Sequence, residues 1–286
     1  MLQLIECPRD AMQGLHEFIP TELKINYLQQ LLKVGFHSLD FGSFVSPKAI
    51  PQMRDTAEVL ANLDLSQTQT QLLAIVANER GAEQACQFSE IRYLGFPMSV
   101  SETFQLRNTN QNIAQGLATL QAIQEKALQH QKKVVAYLSM GFGNPYGDPY
   151  SPAIIEEFTE KLVSMGIEII SLADTIGVSK PENISPLFET LLARYPAITF
   201  GAHLHSRLEE VEEKMHAAYE AGCRRFDGAM QGFGGCPMAT DTLTGNMATE
   251  LMWQYAQRNK IATGLSPMAF EKALQSAQEL FAVYSN

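Results

Sequence analysis

Two histidines one residue apart, His203 and His205, close the apolar run Ala197-Ile-Thr-Phe-Gly-Ala-His-Leu-His205. Such a run reads as a strand, and side chains at i and i+2 of a strand point the same way. Both imidazoles then project from one face at the strand's end, a bite suited to a divalent metal. Near the other end of the chain, Cys7-Pro-Arg-Asp10 offers a guanidinium and a carboxylate. A His-x-His pair by itself is more often two partly buried histidines than a metal site. Asp10 at an adjacent position turns the balance to metal binding, so the chemistry depends on whether the two segments meet in space.

The elements that must bring them together follow from the hydrophobic pattern. Strand-like apolar runs stand at Leu2–Glu6, His37–Phe41, Gln71–Ala77, Ile91–Met98, Lys133–Met140, Ile167–Ala173, Ile198–His203 and Arg224–Ala229. Helical periodicity falls between them, over Thr21–Val34, Asp55–Leu63, Ala82–Cys86, Asn112–His130, a segment opened by Ser151-Pro152, Pro181–Arg194, Arg207–Ala221 and Asn246–Ala256. Ser266-Pro267 then opens a last helix to about Tyr284, with Leu274, Ala277, Phe281 and Tyr284 on one side. Gly35, Gly166 and Gly222 mark helix ends where the chain returns to a parallel sheet. Eight strands alternating with helices over 286 residues, with no linker or composition break, predict one α/β domain: a (β/α)8 TIM barrel with an additional C-terminal helical segment. An open doubly wound sheet usually carries a glycine-rich turn after its first strand; here that turn is Pro8-Arg-Asp-Ala-Met-Gln13.

Composition narrows the partners. A net charge of −10 without a basic run speaks against nucleic-acid binding and leaves room for an anionic metabolite held by a local basic pocket. Four cysteines without CxxC spacing suggest neither a zinc ribbon nor a disulfide framework. No 18-residue apolar stretch predicts a membrane span, and the first motif stands close to Met1, so a cytoplasmic location is expected.

A barrel puts its site at the C-terminal ends of the strands. The polar residues there are Arg9, Asp10 and Gln13, then Asp40 and Ser43, Asn78, Ser139, Asp174 and Thr175, and the two histidines, followed by Gly232-Phe-Gly-Gly-Cys-Pro237. A lone Asp at a strand end is usually an N-cap for the next helix, a reading that applies to Asp40 and Asp174. Cys7 and Cys223 read as core. Cys236 stands in a glycine-rich loop, where a thiol suits a lid that delivers a proton; the plainer reading is a phosphate-binding turn with an incidental cysteine.

Five segments in order, Ile5-Glu-Cys-Pro-Arg-Asp-Ala-Met-Gln13, Asp40-Phe-Gly-Ser-Phe-Val-Ser-Pro-Lys-Ala-Ile-Pro-Gln-Met53, Ser171-Leu-Ala-Asp-Thr-Ile-Gly177, Ala202-His-Leu-His205 and Gly232-Phe-Gly-Gly-Cys-Pro237 with Gly245-Asn-Met-Ala-Thr-Glu250, resemble the 3-hydroxy-3-methylglutaryl-CoA lyases, within the TIM-barrel metallolyases. The resemblance spans essentially the whole chain. It implies cleavage of 3-hydroxy-3-methylglutaryl-CoA to acetyl-CoA and acetoacetate, assisted by Mg²⁺ or Mn²⁺, in a homodimer. By matching position it implies Asp10, His203, His205 and Asn246 as metal ligands, Arg9 facing the thioester carbonyl, and Cys236 as the loop thiol. Asp40 joins Arg9, Asp10 and Cys236 as a catalytic candidate, and Gln13, Ser43, Asp174 and Thr175 as candidates for substrate contact. Arg107, Lys48 and Lys180 lie near strand-end loops and are candidates for CoA phosphates, though exposed basic residues are usually solvated.

The chain departs from that pattern at the pocket rim. Asp40 stands where the lyases usually have Glu, Ala11 for a glycine, Ser206 for an aspartate and Asn144 for a cysteine, and one extra residue separates Cys236 from Asn246. No metal ligand is lost. A metallolyase, aldolase or Claisen-type synthase acting on a different 3-hydroxyacyl-CoA or on a 2-oxo acid, and a metal-binding barrel without catalysis, are the alternatives.

Overall fold

Short strands with apolar residues on both faces need cover inside and out, and a closed barrel wrapped by helices supplies both. The computed structural model describes residues 1–235 and 244–285. Its strands are β1 (Gln3–Glu6), β2 (Ser38–Ser43), β3 (Gln71–Ile75), β4 (Ile91–Ser99), β5 (Lys133–Ser139), β6 (Ile169–Asp174), β7 (Thr199–Leu204) and β8 (Arg225–Gly228). They pair in chain order, all parallel, and β1 pairs with β8, Glu6 opposite Gly228, to close the barrel. The (β/α)8 expectation is met.

Eleven helices connect and follow the strands among the described residues: α1 (Pro8–Gln13), α2 (Thr21–Leu32), α3 (Thr56–Ala61), α4 (Glu79–Cys86), α5 (Glu102–Thr109), α6 (Ile113–Gln129), α7 (Pro152–Ser164), α8 (Pro181–Arg194), α9 (Val211–Glu220), α10 (Thr249–Arg258) and α11 (Pro267–Tyr284). The caps read from sequence are made: Ser151 accepts from the Ile154 amide, and Ser266 from the Ala269 amide. Gly35, Gly166 and Gly222 end their helices at positive φ, as expected.

Three local expectations are corrected. Pro8–Gln13 is a helix, because Pro8 presets φ at its first position and the Asp10 carboxylate favours its N-terminal end. Six residues are too few to show a period. Glu102–Thr109 is also helical without an apolar stripe; the Asp148 carboxylate accepts from the Thr103 amide at 2.9 Å and from the Ser101 and Thr103 hydroxyls, a contact from 45 residues away. Asn246 does not open a helix. It forms an isolated antiparallel bridge with His205, and α10 begins at Thr249.

The last helix covers the barrel. Ala277 and Phe281 are buried, Leu274 and Tyr284 pack against the same core, and the Phe281 ring meets Tyr27 of α2 edge-on at 6.0 Å. Among the described residues no helix is long and apolar enough to cross a membrane.

Candidate active site

The first strand delivers its polar residues by stopping. Pro8 ends β1 and starts α1, and that turn of helix carries Arg9, Asp10 and Gln13 onto the barrel mouth. Arg9 is held on two sides. Asp40, from β2, accepts from Arg9 Nε at 3.0 Å and also from Nη2, while Nη1 donates to Asp10 Oδ1 at 3.0 Å and to Gln13 Oε1 at 2.7 Å. Gln13 Nε2 donates to the same Asp10 oxygen at 2.7 Å. The guanidinium is thereby fixed in one plane, as a forked donor between two carboxylates requires. Burial pushes the Asp40 carboxyl up to about 6 against the pull of Arg9. Asp40 is therefore no helix cap; it braces Arg9.

The histidine strand arrives from the opposite side of the β1–β8 seam. His203 and His205 lie 5.5 Å apart between ring centroids, and donor atoms of Asp10, His203 and His205 fall within 4.8 Å of one another. Burial raises the Asp10 carboxyl, but Arg9, both histidines and the Asn246 amide outweigh it and hold it below the ordinary carboxylate range. Burial, reinforced by His203, pushes His205 down to about 4, which leaves it a neutral imidazole. An ionised carboxylate beside a neutral imidazole is the protonation state a cation requires of its ligands.

The return from β8 completes the cluster. Asn246 Nδ2 donates to Asp10 Oδ2 at 2.6 Å and to the Phe233 carbonyl at 2.9 Å. Within the cluster two buried polar atoms are then left without a hydrogen-bond partner, Asn246 Oδ1 and His205 Nδ1. Orphaned acceptors beside an ionised carboxylate and a second imidazole fit a divalent ion. Gly234, at φ +107°, makes the approach possible: a Cβ there would lie 2.4 Å from Asn246 Nδ2 and 3.0 Å from the Asp10 carbonyl. Glu6 anchors the same return from below, accepting from the Met230 amide at 2.8 Å and the Thr249 hydroxyl at 2.6 Å.

These groups open on a cavity of about 370 Å³. Arg9, Asp10, Gln13, Ser43, Thr175, His203 and His205 line it, and Val45, Ile50, Ile75 and Phe104 give it apolar walls. Ser43 and Thr175 also serve the backbone, their hydroxyls accepting from the Val45 and Met140 amides. Asn78 lines it as well while capping α4. Asp174 is placed otherwise. Its carboxylate accepts from the Val178 and Ser179 amides at 2.9 and 2.8 Å, which makes it the organiser of its own loop. Of the basic candidates, Arg107 lies over the Tyr146 ring at 4.7 Å, and Lys180 is the residue before α8. Cys236 lies outside the described residues.

Three supporting residues went unread in the sequence. Lys214 of α9 is fully buried and donates to the His205 carbonyl at 3.0 Å, with Asp174 3.8 Å away. Asp227 and Arg225 of β8 are buried beneath His203. Their signal was present as Arg225-Phe-Asp227, two opposite charges at strand spacing inside an apolar run. Cys7 is buried as expected, but its sulfur shares a cluster with His203 and Asp227.

Set beside known proteins, residues 3–276 match the HMGL-like family. The chain is 34% identical to hydroxymethylglutaryl-CoA lyase YngG of Bacillus subtilis, over 95% of this chain and 89% of that protein. It is 32% identical to a Pseudomonas aeruginosa 3-hydroxy-3-isohexenylglutaryl-CoA/hydroxy-methylglutaryl-CoA lyase, over 96% and 91%. Among solved structures, an HMG-CoA lyase of Acinetobacter baumannii in complex with coenzyme A and 3-methylmalate superposes with a TM-score of 0.91 at 30% identity, covering 99% of this chain and 92% of that one.

Proposed function

The chain belongs to the HMGL-like family, and from that premise we infer that it is a carbon–carbon lyase that cleaves 3-hydroxy-3-methylglutaryl-CoA to acetyl-CoA and acetoacetate. The observation that carries this reading is the meeting of Asp10, His203 and His205 within 4.8 Å at the wall of a cavity that Arg9 also lines.

Asp10, His203, His205 and Asn246 are the residues that would hold Mg²⁺ or Mn²⁺. The ion's contribution when bound is to polarise the substrate's 3-hydroxyl, whose proton is otherwise far too weakly acidic to leave at neutral pH. The proton passes to Asp10 or to a water that Asp10 holds. As the C2–C3 bond breaks, its electron pair moves to C2 and the hydroxyl-bearing carbon becomes the ketone of acetoacetate. Negative charge then gathers on the thioester enolate oxygen, where Arg9, permanently charged and braced by Asp40, answers it. Cys236 is the acid in this scheme, giving its proton to C2 to release acetyl-CoA and regaining one from solvent. Gln13, Ser43 and Thr175 face the substrate, and Asp174 acts through its loop.

A cytoplasmic setting accords with Cys7, Cys86 and Cys223 standing as free thiols. A homodimer belongs to the same reading and is checked by light scattering.

The deciding experiment supplies metal-stripped protein with 3-hydroxy-3-methylglutaryl-CoA and follows acetoacetate. Turnover should return with Mg²⁺ or Mn²⁺ and vanish with EDTA. Metal-independent turnover, or none with either ion, would remove the proposal.

A further inference from the structure

We propose that Asp227, which lies beneath the site and touches none of the reacting groups, fixes the orientation and tautomer of His203 and so sets how tightly the centre binds its cation. The inference rests on the reading of Asp10, His203, His205 and Asn246 as ligands.

Asp227 is fully buried on β8, with its side chain in the barrel interior. Three donors reach it. Arg225 Nη1 donates to Oδ1 at 2.7 Å, the Ser171 hydroxyl donates to Oδ2 at 3.3 Å, and His203 Nδ1 stands 3.3 Å from the same Oδ2. A carboxylate paired with a permanently charged guanidinium is an acceptor only. His203 Nδ1 must then carry a hydrogen, and in the neutral imidazole the lone pair falls to Nε2, the nitrogen left for a cation. The Tyr137 ring meets the imidazole edge-on at 5.4 Å and 75°, limiting its rotation.

The surroundings are built for this arrangement. Gly201 of β7, two residues before His203, carries no side chain where Arg225 passes. A Cβ there would lie 2.9 Å from Arg225 Nη1 and 3.0 Å from Ser171 Oγ.

A competing use of the same atoms can be weighed. Donor atoms of Cys7, His203 and Asp227 also fall within 4.8 Å of one another. Both oxygens of Asp227 already accept, one from Arg225 and one from Ser171, and the unpartnered atoms, Asn246 Oδ1 and His205 Nδ1, lie at the other cluster. His203 belongs to both clusters, and the free ligand atoms stand on the Asp10 side.

The test reads metal binding and tautomer rather than turnover. In nitrogen-15 spectra of the metal-free wild-type protein, His203 should show the Nδ1–H tautomer; an Nε2–H tautomer overturns the proposal without any variant being needed. Mn²⁺ binding, followed by the resonance of the free ion, is then compared between wild type and the Arg225→Met/Asp227→Leu double variant, which removes the acceptor and leaves no buried charge unpaired. Loss of the orienting carboxylate should weaken binding by about 10- to 100-fold. If Asp227 only neutralises Arg225, the folded double variant binds as wild type does, and the proposal fails while the cation site stands. Wild-type protein that binds no Mn²⁺ removes the cation reading and this inference with it.

Discussion

Arg9 shows how one side chain can serve two ends. Its Nη1 orients Asp10, a candidate ligand, while Nε and Nη2 are consumed by Asp40. Charge stabilisation and ligand positioning predict different outcomes for Arg9→Met. If the guanidinium answers the enolate, kcat should fall roughly a hundredfold or more while Mn²⁺ affinity changes little. Gln13 Nε2 still holds Asp10 Oδ1 in that variant, and Asn246 still holds Oδ2. Metal titration beside steady-state kinetics decides; a collapse of affinity would make Arg9 a brace alone. The pairing of a strand-end arginine and aspartate was legible in the sequence. That Asp40 would be the arginine's partner was not, since 31 residues separate them and nothing local distinguishes a brace from a cap.

The element that matters most is the connection after β8. Its described ends, residues 229–235 and 244–248, pack on each other and place Asn246 against Asp10, Gly245 and Gly232 lying so close that a Cβ on Gly245 would overlap the Gly232 carbonyl. Gly234→Ala tests this. The new methyl collides with Asn246 Nδ2, and φ +107° is unfavourable for any residue with a Cβ. The expected result is a drop in Mn²⁺ affinity of about tenfold or more, the scale on which disturbed ligand support acts. Unchanged affinity would place Asn246 outside the ligand set. Sequence periodicity misjudged this stretch by starting a helix at Asn246, because the bridge to His205 is a tertiary contact that leaves no local period.

At the scale of the whole barrel, closure depends on the seam between the first strand and the last. Glu6 sits in that seam, fully buried, tying β1 to the Met230 amide and the Thr249 hydroxyl. Burial pushes its carboxyl from 4.5 up to about 8, with Thr249 and Met230 opposing. Between those two values the folded chain keeps a proton that the unfolded chain has lost. Stability should therefore be greatest below about pH 4.5 as far as Glu6 is concerned, and fall as pH rises towards 8. Glu6→Gln cannot ionise, so the wild type should lose stability relative to this variant across that window, by a few kcal/mol at roughly 1.4 kcal/mol per unit. Urea unfolding of both proteins at pH 5 and 8.5 measures the difference; a constant offset would refute it.

By itself the sequence determined the periodic features: eight strands alternating with helices, glycines at helix ends, and two imidazoles on one face of a strand. Each is set by neighbours within a turn or two, where backbone geometry repeats. The tertiary structure decided which atoms meet. Asn246 reaches Asp10 across 236 residues, and Asp227 reaches His203 from the next strand. Burial, which decides the charge of His205 and Glu6, and the neighbours that keep Asp10 ionised against it, are likewise properties of the closed barrel and not of any stretch of chain.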